Sequence, residues 1–155
     1  MGKYRHFKEL DGYCADSLRD IDAFMKRKYN VALSVSRSMR ACTDEVAKIA
    51  SALEDSPFTV SFSDTERADN EKFLKEITEK LSSVLSQKEQ WRSTYAYHEY
   101  EVNVHACDTD IENAKEVYNE TAHVYNRAIK RFPGSLLAKH FKLKEKELFT
   151  LKSDT

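Results

Sequence analysis

From Leu10 to Leu53 the apolar residues fall at intervals of three and four without a miss: Cys14, Leu18, Ile21, Met25, Tyr29, Ala32, Val35, Met39, Cys42, Val46, Ile49 and Leu53. Such spacing lines one face of an α-helix, whereas a strand would scatter the same residues over both of its faces. A first helix over about 8–54 is therefore predicted. At about 1.5 Å per residue it exceeds the depth of a small domain, so a kink or projection is expected, most naturally around Lys26–Asn30, where charge crowds the stripe. Only 3 glycines and 2 prolines punctuate the 155 residues, and 33% are charged, a helical balance that argues against an all-β fold.

Pro57 closes that helix, and "DSPFTVSFSDTE" alternates Phe58, Val60 and Phe62 with polar residues. No partner strand is in sight, so this stretch reads as a loop. Ser63-x-x-Glu66 is a capping box opening a helix over about 64–88 on Leu74, Ile77, Leu81 and Leu85. A third segment over about 90–107 carries Trp91, Tyr95, Tyr97, Tyr100 and Val104. Next, two readings compete: Thr109-x-x-Glu112 is another capping box, yet Val104, Cys107, Ile111, Ala114 and Tyr118 keep their spacing. A break is expected, with a helix over about 109–132 continuing on Ala122, Tyr125, Ile129 and Phe132. Pro133, Gly134 and Ser135 then turn the chain into a final helix over about 136–150.

Four amphipathic segments joined by short connections bury their stripes together most simply as a bundle. The expected fold is all-α, an antiparallel four-helix bundle with long amphipathic helices and a short C-terminal helix, forming one domain over residues 1–155. The pairs Tyr118-Asn119 and Tyr125-Asn126 lie seven residues apart, hence about 20° apart around a helix. Both tyrosines are expected in one packing seam, with the asparagine amides beside it bonding a neighbouring helix or a loop carbonyl.

"YNETAHVYNRAIKRFPGSLLAKHF" resembles the signature of the LemA family: two Tyr-Asn pairs, then Phe-Pro, a small or polar residue, apolar residues, Ala and Phe. "IDAFMKRKYNVAL" resembles that family's Ile-Asp segment with its basic triplet, and "FKLKEKELF" its closing run. The likeness extends from about Leu18 to Phe149. The chain departs from the family pattern at Leu33 (usually Pro), Lys88-Glu89 (Tyr-Pro), Asp108-Thr109 (Glu-Asn), Lys115 (Arg) and Lys142 (Gly). The resemblance implies a four-helix bacterial protein, often tethered by an N-terminal membrane helix, with no catalytic residues to carry over.

No enzyme chemistry emerges from the residues themselves. Glu120-x-x-His123 has the spacing of a di-iron ligand pair, but such a site needs a second copy and two more glutamates. None of His6, His98, His105 and His140 has a glutamate three residues earlier. Glu101-x-x-x-His105 reads as a helix-surface pair. No nucleophile elbow or glycine-rich phosphate loop is present. Cys14, Cys42 and Cys107 lack metal-ligand spacing and read as reduced, buried thiols. The aromatic patch at 91–100 offers surfaces for stacking a ligand, but its spacing favours core. No catalytic, cofactor-binding or metal-binding residue is assigned.

With 25 basic against 26 acidic residues the formal charge is −1, which leaves no global field for nucleic acid. No apolar run reaches the roughly eighteen residues of a membrane span, and the opening MGKYRHFKEL has no signal-peptide core. His6 breaks the myristoylation pattern that Gly2 would begin. The chain as written reads as soluble. Two basic clusters stand out: Lys26, Arg27 and Lys28 with Arg37 and Arg40, and Lys130, Arg131, Lys139, Lys142, Lys144 and Lys146. They fit docking to an acidic protein partner or an anionic membrane surface. The expected function is thus a non-catalytic interaction or scaffold module of the bacterial envelope. The alternative is a bundle that binds a small molecule or metal in an inter-helix pocket, with or without enzyme activity.

Overall fold

The computed structural model describes residues 2–56, 58 and 63–152. Among these, six helices and no strands occur: α1 (Gly2–Ser38), α2 (Asp44–Glu54), α3 (Asp64–Leu85), α4 (Glu89–Arg92), α5 (Tyr95–Lys130) and α6 (Gly134–His140). The all-α expectation holds. The chain divides into two compact units, one made of Met1–Ile21 with Ile111–Thr155 and the other of Asp22–Asp110.

The first predicted helix is two helices, and the break lies at residues 39–43 rather than at Lys26–Asn30. Thr43 adopts extended backbone as the N-cap of α2 and accepts a hydrogen bond from Val46 N at 3.1 Å. Asp44 and Glu45 follow in the first turn, where their charge favours the positive end of the helix dipole. Nearly all of the stripe is buried as expected, with Leu18 and Cys42 half-buried. Pro57, Val60 and Phe62 lie outside the described residues, and α2 ends at Glu54.

In the 22–110 unit α2 packs against α3, and the capping box of α3 is present, with Ser63 accepting from Glu66 N at 3.2 Å. The core includes Leu74, Ile77, Leu81 and Leu85 from α3 and Trp91 from α4. Tyr100 is buried and its hydroxyl donates to Thr78 O at 2.9 Å, so burial pushes this phenol well above its ordinary pKa. Asp22 of the Ile-Asp segment is almost fully buried and receives Arg67 through two bonds, at 2.6 and 3.0 Å.

No break occurs near Asp108: α5 runs unbroken for 36 residues. Glu112 of the suggested cap and the acids beside Thr109 serve as lateral partners instead. Asp108 pairs with Lys28 at 2.6 Å, Asp110 lies 3.9 Å from Arg27, and Glu112 accepts Lys152 N at 2.6 Å. Thr94 caps the start of α5, accepting from Tyr97 N at 3.2 Å. The predicted segment over 90–107 is thereby split between α4 and α5.

The unit formed by 1–21 and 111–155 holds two apolar clusters. One joins Phe7 and Leu10 of α1 with Tyr125 and Ile129 of α5 and Ala138 of α6. The other joins Cys14, Tyr118 and Ala122, with Phe149 packed against it. The final helix predicted to residue 150 ends at His140. Leu143 N returns to Ala138 O at 2.8 Å while Lys142 takes the left-handed conformation, φ 55°, a helix stop that glycine fills more easily. Lys142 stands where the resemblance leads one to expect glycine. Beyond it residues 143–151 form neither helix nor strand, and bonds from positions 126 and 119 to positions 146 and 149 imply an extended course.

Candidate functional site

The extended C-terminal segment finds its backbone partners in the Tyr-Asn repeat. Asn126 Nδ2 donates to Lys146 O at 2.8 Å and its Oδ1 accepts Lys146 N at 2.7 Å. Asn119 repeats the arrangement on Phe149, at 2.8 Å in both directions. Each carboxamide thus presents the donor and acceptor that a neighbouring strand would offer. The spacing follows from geometry. Seven helical residues advance about 10.5 Å, and three residues of extended chain advance about 9–10 Å. The sequence reading placed these amides beside the seam, bonding a neighbouring helix or a loop carbonyl; they bond carbonyls of a non-helical segment, one expected from the sequence to be helix.

The two tyrosines complete the ladder. Tyr118 and Tyr125 are buried as expected. Tyr118 meets the Phe149 ring edge-on at 5.0 Å, and Lys146 Nζ lies 4.8 Å from the Tyr125 ring centre while bonding Asp11. Burial alone would lower the Lys146 pKa; Asp11 outweighs it, and the ammonium lies above its ordinary value. Lys130 holds Glu145 at 2.5 Å. The ladder thereby fixes a lysine-bearing strap along α5.

The two basic clusters behave differently. In the first, Lys28 pairs with Asp108, Lys26 donates to Phe58 O at 3.2 Å, and Arg37 and Arg40 both hold Glu54, at 3.0 and 2.6 Å. In the second, Arg131, Lys139, Lys142 and Lys144 are exposed and form no ion pair among the described residues. Between Arg127 and Lys146 there are seven lysines and arginines against one acid, Glu145. Phe132, expected on the buried stripe, is 78% exposed, and Leu136 and Phe141 are 61% and 43% exposed. The break after Lys130 turns Phe132 away from the helix face that carries Ile129. Tyr4 stacks on Phe141 at 4.2 Å, bringing the first turns of α1, with Lys3, Arg5 and Lys8, to the same end of this unit.

A hollow of about 340 Å³ opens there, lined by residues of α1, α5, the α5–α6 turn and the start of α6 that include Phe7, Arg127 and Gly134. The Glu120–His123 pair is exposed, and His123 Nε2 lies 3.0 Å from Arg127 Nη2. Glu101 is half-buried, with Oε1 buried and lacking a hydrogen-bond partner among the described residues, while His105 is exposed. Among the described residues no group of three His, Cys, Asp or Glu side chains is placed to hold a metal ion. Cys14 and Cys107 are buried, and burial pushes both thiols up; Cys42 is half-buried. Of the aromatic patch, Trp91 and Tyr100 are core, Tyr97 is half-buried and Tyr95 is exposed. No described helix is long and apolar enough to cross a membrane.

These features define an all-helical protein whose C-terminal strap is held by an asparagine ladder on its longest C-terminal helix. A model of the LemA family matches residues 17–155, and the chain belongs to that family. No curated protein and no solved structure shows significant similarity to it.

Proposed function

We propose that this chain is a non-catalytic interaction module of the bacterial envelope that docks on an anionic membrane surface through the end formed by α6 and its flanking turns. The helical stripes would close as the antiparallel four-helix bundle expected from the sequence. The observation that carries the docking is the pairing of exposed Phe132, Leu136 and Phe141 with four cations that form no ion pair among the described residues, Arg131, Lys139, Lys142 and Lys144. Apolar side chains enter the headgroup boundary while cations meet acidic lipid, each worth roughly 1 kcal/mol near such a surface.

Co-sedimentation with vesicles tests this. The full chain is expected to bind phosphatidylglycerol-containing vesicles, to release with rising salt, and to ignore pure phosphatidylcholine. The double variant Phe132→Ser, Leu136→Ser should bind more weakly with an unchanged melt, since both side chains are already exposed. Equal binding to pure phosphatidylcholine would refute the anionic-surface reading, and no binding at all would remove the membrane and leave an acidic protein as the partner to seek.

A further inference from the structure

We propose that the hollow between the first turns of α1 and the end of α5 is a specific site for the phosphate-bearing headgroup of an acidic phospholipid, one per chain. This rests on the docking reading above and names the lipid chemistry it selects. Lys3, Arg127 and Arg131 line the hollow together with His6, and among the described residues no carboxylate lines it. Arginine forks match phosphate oxygens in a way that diffuse surface charge does not. One fork has a side-chain neighbour: Arg127 Nη2 lies 3.0 Å from Nε2 of His123 one turn away.

The floor is apolar, formed largely by Phe7, Ala128 and Gly134. A phosphate alone has no use for such a floor, but the glycerol and first methylenes of a lipid do. Gly134 permits the close approach that builds it. A Cβ there would stand 2.7 Å from Ala128 O and 3.1 Å from the tip of Phe7, so any side chain would push α6 off α5. At about 340 Å³ the space is at the small end of ligand pockets and suits a headgroup rather than a whole lipid. Arg131 precedes Phe132 directly and Gly134 follows it two residues on. A headgroup in the hollow would therefore sit beside a ring placed to enter the acyl region of the same bilayer.

The test uses the full chain and dihexanoyl phosphatidic acid kept monomeric, followed by calorimetry and amide chemical shifts. Saturable binding with one site per chain is expected, weakened about tenfold by Arg127→Gln, the loss of one charge-assisted contact. Lys80→Gln, a change of an exposed cation on α3, should leave it unaltered. Dihexanoyl phosphatidylcholine should not bind measurably. Inorganic phosphate competing as well as the lipid would overturn the lipid assignment, and equal weakening by Lys80→Gln would show diffuse attraction instead of a site. Absence of saturable binding, with vesicle docking intact, would sink this inference alone. Phosphatidate binding without vesicle docking would uphold the site and remove the bilayer reading.

Discussion

The two basic clusters are alike in sequence and opposite in use. Lys28, Lys26, Arg37 and Arg40 each meet a carboxylate or a carbonyl of their own unit. Arg131, Lys139, Lys142 and Lys144 meet none among the described residues and stand next to exposed aromatic rings. A charge run becomes evidence of a partner only when the fold leaves it unspent. The second cluster also differs in what holds it: three of its lysines ride on an extended strap whose position depends on the Tyr-Asn ladder.

Removing the ladder's floor should have the largest effect. Tyr125→Ala opens a void in the cluster with Phe7, Leu10 and Ile129 and is expected to cost about 3–5 kcal/mol in urea melts. A wild-type midpoint would mean that Tyr125 is a surface residue. For the first cluster, Asp108→Ala leaves the Lys28 ammonium, 9% exposed, without its carboxylate, and a loss of about 1–3 kcal/mol is expected. Lys28→Met, which keeps the apolar stem and drops the charge, should cost less. The contrast fails if both variants melt alike.

In the second cluster, the combined replacement of Arg131, Lys139, Lys142 and Lys144 by glutamine should shift stability by no more than about 0.5 kcal/mol while releasing the chain from anionic vesicles. Loss of stability comparable to that of Asp108→Ala would make the second cluster structural too. The smallest effect is expected at the helix stop. Lys142→Gly relieves a left-handed lysine, a strain of about 1 kcal/mol, offset in part by the freedom glycine brings to the unfolded chain. A slight rise in the melting midpoint is predicted, and a fall would show that Lys142 carries a contact of its own.

Much of the fold was legible in the sequence because burial dominates it. The stripes on α1, α2, α3 and α5 were read from spacing, and the cap at Ser63 from its motif. What escaped was where competing local signals met longer-range ones. Thr43 ends a stripe that continues in register on both sides, so periodicity alone could not reveal the break. Thr109 and Glu112 look like a cap, but Lys28 and the strap draw the neighbouring acids into lateral bonds, and the helix continues. "FKLKEKELF" is rich in helix formers, yet the amides of Asn119 and Asn126 take up its backbone in extended form, a contact across 20 to 30 residues that no local window contains. A trace of it was present: Leu143, Lys146 and Phe149, the half-buried positions, recur every third residue, as a three-per-turn extended chain requires. The candidate site was half visible, its cations in the sequence and its exposed Phe132 not, because the stripe pointed inward until the turn after Lys130.

Amide hydrogen exchange at Lys146 and Phe149 tests the ladder most directly. In the wild-type chain both amides should be protected, since each donates to a helix carboxamide at 2.7–2.8 Å. Asn126→Ala should expose Lys146 far more than Phe149, Asn119→Ala should do the reverse, and each should cost about 1–3 kcal/mol for the groups left unpaired. Loss of protection at one site per variant, with the α5 amides unchanged, is the result predicted. Rapid exchange of both amides already in the wild type, or full protection in both variants, would contradict the account.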